Sequence, residues 1–436
     1  MHLPSFKSLL ALLATAVLLS SCGGKGSAAA PPVGGLTVES LEGGIQISWV
    51  AVPGVEYWLY GKVGSNICKN CGDNNPDNWK NGGFALGLKN APISSPYYLT
   101  TLPNGTAVIN GTTYAFIMDA RVNGGAAGEA TPAATTTPRL TGETWTTGSG
   151  LGNGNIKSVA YGTLTGNTTS TYLGLGTLGA KYQSADGLTW ASITSSDTTN
   201  YLNATYAFSK FVGVGTSGAV VYTSDLQTWT PATFTTPVTS RLNAVSGNGS
   251  LLVAVGDQGT IITSGDGITW TAAATVPTSA ALYGVSYSGV GLWVAVGASG
   301  TILTSPDGSV WTAVNSGTSA NLNAVASLLN SSTYSIVAVA NDGTFLQSST
   351  GSTWSAAAPI TVGTTTSLNA IVTSTGQSPS NQFMVVGNGG KAFTSLDGVT
   401  WTSRTTTTTQ NLIGLIRGLH NQYLAWAADG TTVYSQ

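Results

Sequence analysis

The chain has 436 residues, of which 15 Lys+Arg and 17 Asp+Glu make 7% charged, against roughly 25% in an ordinary soluble domain. A formal net charge of −2, with no basic stripe and no acidic block, excludes recognition of a nucleic-acid backbone. The length allows two to four domains, while two histidines and few acids leave little material for catalysis.

Residues 1–21 carry Lys7 and an apolar run from Leu9 to Leu19, the layout of a secretory signal and too short for a bilayer span. Leu19-Ser20-Ser21-Cys22 resembles the lipobox of bacterial lipoproteins. The resemblance implies cleavage before Cys22, lipidation of that residue and, with Gly23 in place of Asp, an outer-membrane address facing the periplasm or the exterior. An ordinary signal peptide with an incidental Cys22 is the alternative. Residues 22–32 then read as lipidated Cys and flexible tether, ending in Pro31-Pro32. No later stretch approaches 18 apolar residues, so the remainder is expected to be soluble outside the cytoplasm, held to the membrane by lipid alone.

Cys68 and Cys71 are left as a pair in an oxidising compartment, and a local disulfide is the first reading. Gly72 stands where a c-type haem needs His, and a zinc site lacks two further ligands nearby. No cofactor and no metal are expected.

Over residues 33–138, short alternating runs are separated by Gly, Pro and Asn. Ile45, Ile47 and Trp49 alternate with polar residues, as do Tyr114, Phe116, Met118 and Ala120, giving strands with one buried face. The segment fits one two-sheet sandwich. Leu36-Thr37-Val38, the Trp49 that ends its strand, Tyr57 and Gly111-Thr112-Thr113-Tyr114 resemble a fibronectin type III domain. That resemblance makes Tyr114 a corner tyrosine whose hydroxyl bonds back to the chain. The polar insert from Asn66 to Gly83, with the Cys pair and Trp79, departs from it and reads as a disulfide-pinned surface excursion; a recognition loop is the alternative.

Residues 139–436 are built on a repeat. Trp145, Trp190, Trp229, Trp270, Trp311, Trp354 and Trp401 recur at intervals of 45, 39, 41, 41, 43 and 47. A common turn precedes most of them, with Asp186, Asp225, Asp266, Asp307 or Asp397 four residues before the Trp, as in Ser264-Gly265-Asp266-Gly267-Ile268-Thr269-Trp270. Three further strand-like runs fill each period, well shown by Leu242 to Ser246, Leu251 to Gly256 and Thr260 to Ser264. Four strands per unit predict a β-propeller blade, and seven units predict seven blades. The 35 residues after Trp401 and the seven from Arg139 through Trp145 together make one ordinary repeat of 42, so the N-terminal strand at Trp145 is expected to complete the last blade. The fold class is therefore all-β, a fibronectin type III-like sandwich followed by a seven-bladed propeller closed by an N-terminal strand.

The repeated turn resembles the Asp-box, or BNR repeat, of sialidases, photosystem II stability/assembly factors and exported bacterial propellers. The resemblance implies a structural turn in which Asp and Ser bond backbone amides and the aromatic packs between sheets. A sialidase reading needs an arginine cluster and a Tyr paired with Glu. Residues 139–436 hold only Arg139, Arg241, Arg404, Arg417 and a single Glu, Glu143, and five of their nine Asp residues belong to the turns. His420 is the sole mature histidine, which leaves no ready Ser-His-Asp triad.

Binding is favoured over catalysis on these grounds, and no catalytic residue is assigned. Propeller loops gather around the axis, so ligand-binding candidates are Asn203, Asn243, Asn323 and Asn369 at the start of innermost strands and Arg241 and Arg404 in the connections before them. Loop residues Asp257, Gln258, Asn341, Asp342, Asn388 and Asp429 join this set. The repeated Asn also has a structural reading, bonding the backbone where each strand begins. The expected protein is a monomeric, non-catalytic envelope lipoprotein that recognises an extracellular or envelope protein or glycan. An assembly factor for a membrane complex is the first alternative and a glycan-cleaving enzyme the second.

Overall fold

The computed structural model describes residues 27–435 apart from 42, 88–92, 139–141, 152–154, 165, 168, 331–332, 357–365, 374–381 and 419–421. Cys22, Arg139 and His420 lie outside the described residues. The helical elements among those described are single 3₁₀ turns, and the chain is all-β. It divides into two compact units, one taking the described residues of Met1–Thr37, Ser48–Tyr97 and Ala115–Thr135, the other those of Val38–Ile47, Tyr98–Tyr114 and Thr136–Gln436.

In the first unit the sheet runs Ser27–Ala29, Tyr114–Val122, Glu56–Val63, Phe84–Leu86, with Ala134–Thr136 also paired to Tyr114–Val122. Ser27–Ala29, expected in the tether, is instead a strand in register with Ala120–Val122, where three small residues meet no steric bar to pairing. Gly61 leaves room for the rings of Phe84 and Phe116, with which a Cβ there would collide.

The insert of residues 66–83 is pinned by its disulfide and half of it is exposed, but it has an inner side that packs on the sheet. Cys68 and Cys71 form a disulfide with Cα atoms 6.0 Å apart. Trp79 N donates to the Cys68 carbonyl at 3.0 Å, and its ring lies 4.8 Å from that of Tyr60. Ile67 is buried with Tyr60, Ala115 and Ile117. Beneath them Asp119 is fully buried, accepting from Arg121 Nε (3.0 Å), Tyr60 Oη (2.8 Å) and the Lys69 ammonium. The insert therefore carries an apolar underside and one cation, both of which find partners on the sheet.

In the second unit, Thr37–Leu41, Gly44–Ser48 and Tyr97–Leu99 form one sheet. The Tyr114 hydroxyl accepts from Ile109 N at 3.1 Å, the bond back to the upstream chain expected of that residue.

Beyond residue 142 the strands follow one scheme. Leu242–Gly247 pairs antiparallel with Leu252–Gly256, then Ile261–Ser264, then Thr269–Ala272. The same order starts from Ile156–Gly162, Tyr201–Ala207, Leu282–Ser288, Leu322–Asn330, Leu368–Thr373 and Leu412–Arg417. The sheet that begins at Leu412 takes Trp145–Thr147 as its fourth strand, with Trp145 opposite Ser435. These first strands touch one another in chain order, and Leu412–Arg417 touches Ile156–Gly162 in turn. The result is a ring of sheets around an axis, a β-propeller.

Each hydrophobic core is shared by two neighbouring sheets, because the second strand of every sheet is buried on both faces. Trp270 packs on Val212, Val214 and Val220 of the sheet before it, and Trp311 on Val253, Val255 and Ile261. Trp401 lies 4.3 Å from Phe345, and Trp145 sits among Met384, Val386 and Ala392. Trp229, Trp354 and Trp190 occupy the corresponding places half-buried. A large ring at the start of the fourth strand thus seals the wedge that radiating sheets leave at their periphery.

The turn before each Trp explains its recurrence. Asp266 Oδ1 accepts from the amides of Ile268 and Thr269, both at 2.8 Å, and from Ser264 Oγ at 3.0 Å. Asp186, Asp225, Asp307 and Asp397 hold the same amides in their copies. Backbone amides hold the Asp225 and Asp307 carboxyls below the usual range. Except at Trp270, whose Nε1 is buried without a partner among the described residues, the indole donates to the carbonyl three residues back, Gly187 for Trp190 and Gly142 for Trp145, both at 3.1 Å.

Candidate functional site

The axial end of the ring is built from one repeated irregularity. At the start of every first strand the register shifts by one residue: Leu242 faces Gly256 but Ala244 faces Val255, so Asn243 is bulged out of the ladder. The same shift exposes Lys157, Leu202, Tyr283, Asn323, Asn369 and Ile413. A bulge re-aims its side chain, and here the bulged residues together line one cavity of about 830 Å³ at the mouth of the axis. Below it, a cavity of about 460 Å³ continues along the axis between small side chains such as Ser158, Ala204, Ala244, Gly284 and Ala324.

Within the mouth, Asn243 Nδ2 donates to Asp257 Oδ1 (2.8 Å) and to the Leu282 carbonyl (2.9 Å). Asn323 Nδ2 donates to the Leu368 carbonyl (2.8 Å), and Asn369 Nδ2 to the Leu412 carbonyl and Asn388 Oδ1, both at 2.8 Å. Each Asn thus bonds the backbone where a first strand begins, the strand being that of the next sheet. The expected quartet is also a trio in register. Asn203 sits one position later than the others, because Leu202 takes the bulge, and its Oδ1 accepts from Val245 N at 3.0 Å.

The two candidate arginines part company. Arg241 lines the mouth beside Asp257, with Asn341 and Asn388 also on the wall. Arg404 does not reach it. The fourth strand runs on through Thr402–Thr405, paired with Lys391–Thr394, because β-branched residues extend the ladder where a connection was expected. Arg404 Nε donates to Thr394 Oγ1 at 2.8 Å, and its guanidinium lies 3.9 Å from Glu143. Asp342 and Asp429 also stay outside the mouth lining, each accepting from the amide two residues on (Thr344 and Thr431, both at 2.9 Å) as turn residues do.

Lys157 escaped the sequence reading, since the bulge position holds Lys, Leu, Asn, Tyr, Asn, Asn and Ile in turn and repeats no residue type. Aligning Ile156-Lys157-Ser158-Val159 with Leu242-Asn243-Ala244-Val245 is the signal that finds it. Among the described residues, neither Lys157 nor Arg241 has a carboxylate within 4.0 Å. The mouth therefore presents two uncompensated cations among carboxamides, with Asp257 as the carboxylate on its wall and already engaged by Asn243.

A second departure from the repeat lies toward the periphery. Lys181, fully buried, takes the place of Val220, Ile261 and Ile302, and Asp197 takes that of Thr278, Thr318 and Thr408. Lys181 Nζ donates to Asp197 Oδ2 (2.9 Å) and Ser195 Oγ (3.0 Å), and stands about 5 Å from the rings of Tyr201 and Trp229. Burial alone would raise Asp197; the bonds from Lys181, the Thr199 amide and Tyr201 outweigh it and hold the carboxyl well below its ordinary value. A crevice of about 440 Å³ lined by Asp197, Tyr201, Trp229 and Phe234 opens beside the pair.

Solved structures resemble this chain over about two thirds of its length. YCF48 from Cyanidioschyzon merolae is 15% identical with a TM-score of 0.54, covering 67% of this chain and 98% of that one. YCF48 bound to D1 peptide is 15% identical with a TM-score of 0.53, over 69% and 99%. Streptogramin B lyase is 8% identical with a TM-score of 0.55, over 67% and 97%. The neighbours are β-propellers. At these identities the likeness shows the fold alone. No family model matches the chain, and no curated protein does.

Proposed function

We propose that this is a non-catalytic, seven-bladed propeller of the Asp-box type that binds an acidic or carbonyl-rich peptide segment of a partner protein at its axial mouth. The observation that carries this reading is the pair of uncompensated cations, Lys157 and Arg241, set among Asn243, Asn323, Asn369 and Asn388. Guanidinium and ammonium groups supply donors for carboxylates, and carboxamides supply donors and acceptors for a peptide backbone. A propeller of similar fold solved with a bound peptide supports the same use of this architecture. Glycoside cleavage by paired carboxylates is disfavoured by a mouth in which, among the described residues, Asp257 is the one carboxylate on the wall.

The rest of the reading concerns address and architecture. The chain is an outer-membrane lipoprotein joined to lipid through Cys22, and residues 33–138 are a fibronectin type III-like module that acts as a spacer. A palmitate analogue should label the full chain in cells, and Cys22→Ser should abolish the label; persistent labelling would remove the anchor.

The binding site is tested by capture of envelope proteins on the full chain and on a Lys157→Ala/Arg241→Ala variant. The double variant should retain at least about ten-fold less of the captured partner, and wild-type capture should weaken as salt is raised. Equal capture by the two proteins would move the site away from the mouth.

A further inference from the structure

Leu178 is placed where neither burial nor backbone preference accounts for a leucine. It is the middle residue of the 3₁₀ turn Thr177–Gly179, at φ 55° and ψ 35°, the left-handed region that a branched aliphatic residue adopts at a cost. The equivalent turns carry Ser217, Gln258, Ser299 and Gly389 at φ 56°, 58°, 52° and 68°. Four copies thus use a polar residue or glycine, and one uses leucine. Its side chain is 69% exposed. Leu226 makes the contrast, since it also stands at positive φ (63°) but is buried among Leu173, Leu175 and Phe211, which offsets the strain.

Leu178 also lies at the end of its sheet that carries Lys157, outside the lining of the mouth itself. Gly176 faces Ile156 across the ladder, and Thr177 N donates to the Asn155 carbonyl at 2.8 Å, which sets the turn against the residues flanking Lys157. The same end of this sheet therefore carries both an ammonium that lines the cavity and, outside that lining, an exposed apolar knob. Non-glycine residues held in the left-handed region cluster at ligand sites, and Leu178 keeps that conformation with its side chain mostly exposed.

We infer that the Leu178 knob is a docking point, and that the segment bound at the mouth carries an apolar side chain within a few residues of the carboxylate that Lys157 and Arg241 attract. The inference rests on the proposed peptide-binding role of the mouth and specifies its ligand class. The charge is argued from the two cations, and the apolar neighbour from Leu178. Such a partner covers the leucine and leaves the carboxylate over the axis.

The test is an array of immobilised, randomised nonapeptides, probed with the full chain and with Leu178→Ser, the residue that the repeat itself carries at Ser217 and Ser299. The wild type should enrich peptides in which Asp, Glu or a free C-terminal carboxylate lies within three positions of Leu, Ile, Phe or Met. Leu178→Ser should keep the acidic preference, lose the apolar one and bind the best wild-type peptides about ten-fold more weakly, with an unchanged or raised Tm. Acidic enrichment with no apolar neighbour, or an identical motif in the variant, overturns the inference and leaves the peptide-binding reading in place. A Tm lowered by several degrees in Leu178→Ser overturns it too, since the leucine would then serve the fold. No enrichment by the wild type overturns both.

Discussion

Asp119→Ala should destabilise the first compact unit by about 3–5 kcal/mol, enough to unfold a marginal domain. Asp119 is fully buried and accepts from Arg121 Nε (3.0 Å) and Nη2 (3.2 Å), from Tyr60 Oη (2.8 Å) and from Lys69. Removing the carboxylate strands two nearly buried cations and a hydroxyl, which is more costly than the gain of the intact cluster. Burial by itself would raise the Asp119 carboxyl, but bonds from Arg121, Lys69 and Tyr60 prevail and lower it. A carboxyl depressed in the folded state contributes its stability above the unfolded value near 4 and loses it as the pH falls toward the folded one. Urea unfolding followed by amide exchange in residues 114–122 should therefore show wild type weakening below about pH 4, with Asp119→Asn less stable at pH 7 and nearly flat over that range. Exchange in residues 66–83 should rise in both variants, because Lys69 ties the insert to the sheet. Unchanged protection there would mean that the disulfide and Trp79 hold the insert without the ion pair.

How far the sequence speaks for the structure differs between fold and site, for a physical reason. Trp and the turn before it recur because each sheet meets the same demand: a ring to fill the peripheral wedge, and an Asp to hold two amides of a tight turn. Identical demands leave identical residues, so the period is readable, and with it the strand that Trp145 adds beside Ser435. The mouth is different. Its residues share a backbone feature, the bulge, which imposes no side chain, and so Lys157, Tyr283 and Ile413 look unrelated in the sequence. Asn203 misleads for the same reason, since it resembles Asn243 in type but sits one residue out of register. Arg404 misleads because threonines end the outer strand later than the turn signals suggest. The insert is a third case: its polarity is plain, but only folding shows that Ile67, Lys69 and Trp79 share its inner side.

Lys181 and Asp197 allow the cost of leaving the repeat to be measured by restoring it. Lys181→Ile and Asp197→Thr are the residues that neighbouring copies carry at Ile261 and Thr278. Asp197→Thr alone leaves a fully buried ammonium without its counter-ion and should cost about 3 kcal/mol. Lys181→Ile alone is milder, about 1 kcal/mol, because Asp197 is partly exposed and keeps the Thr199 amide and the Tyr201 hydroxyl at 2.7–2.8 Å. The double variant should return to within about 1 kcal/mol of the wild type or exceed it, since an aliphatic–threonine pair needs no desolvated charge. The sign with pH follows from the depressed Asp197 carboxyl: any advantage of wild type over the double variant is full above about pH 4 and shrinks progressively as the pH falls toward the depressed folded value. Denaturation of the four proteins at pH 7 and pH 3 completes the cycle. Additive losses would show that the two residues do not act as a pair. Recovery in the double variant would show that the fold does not require the charges, which then leaves the crevice beside Tyr201 and Trp229 as the place where the departure from the repeat has its use.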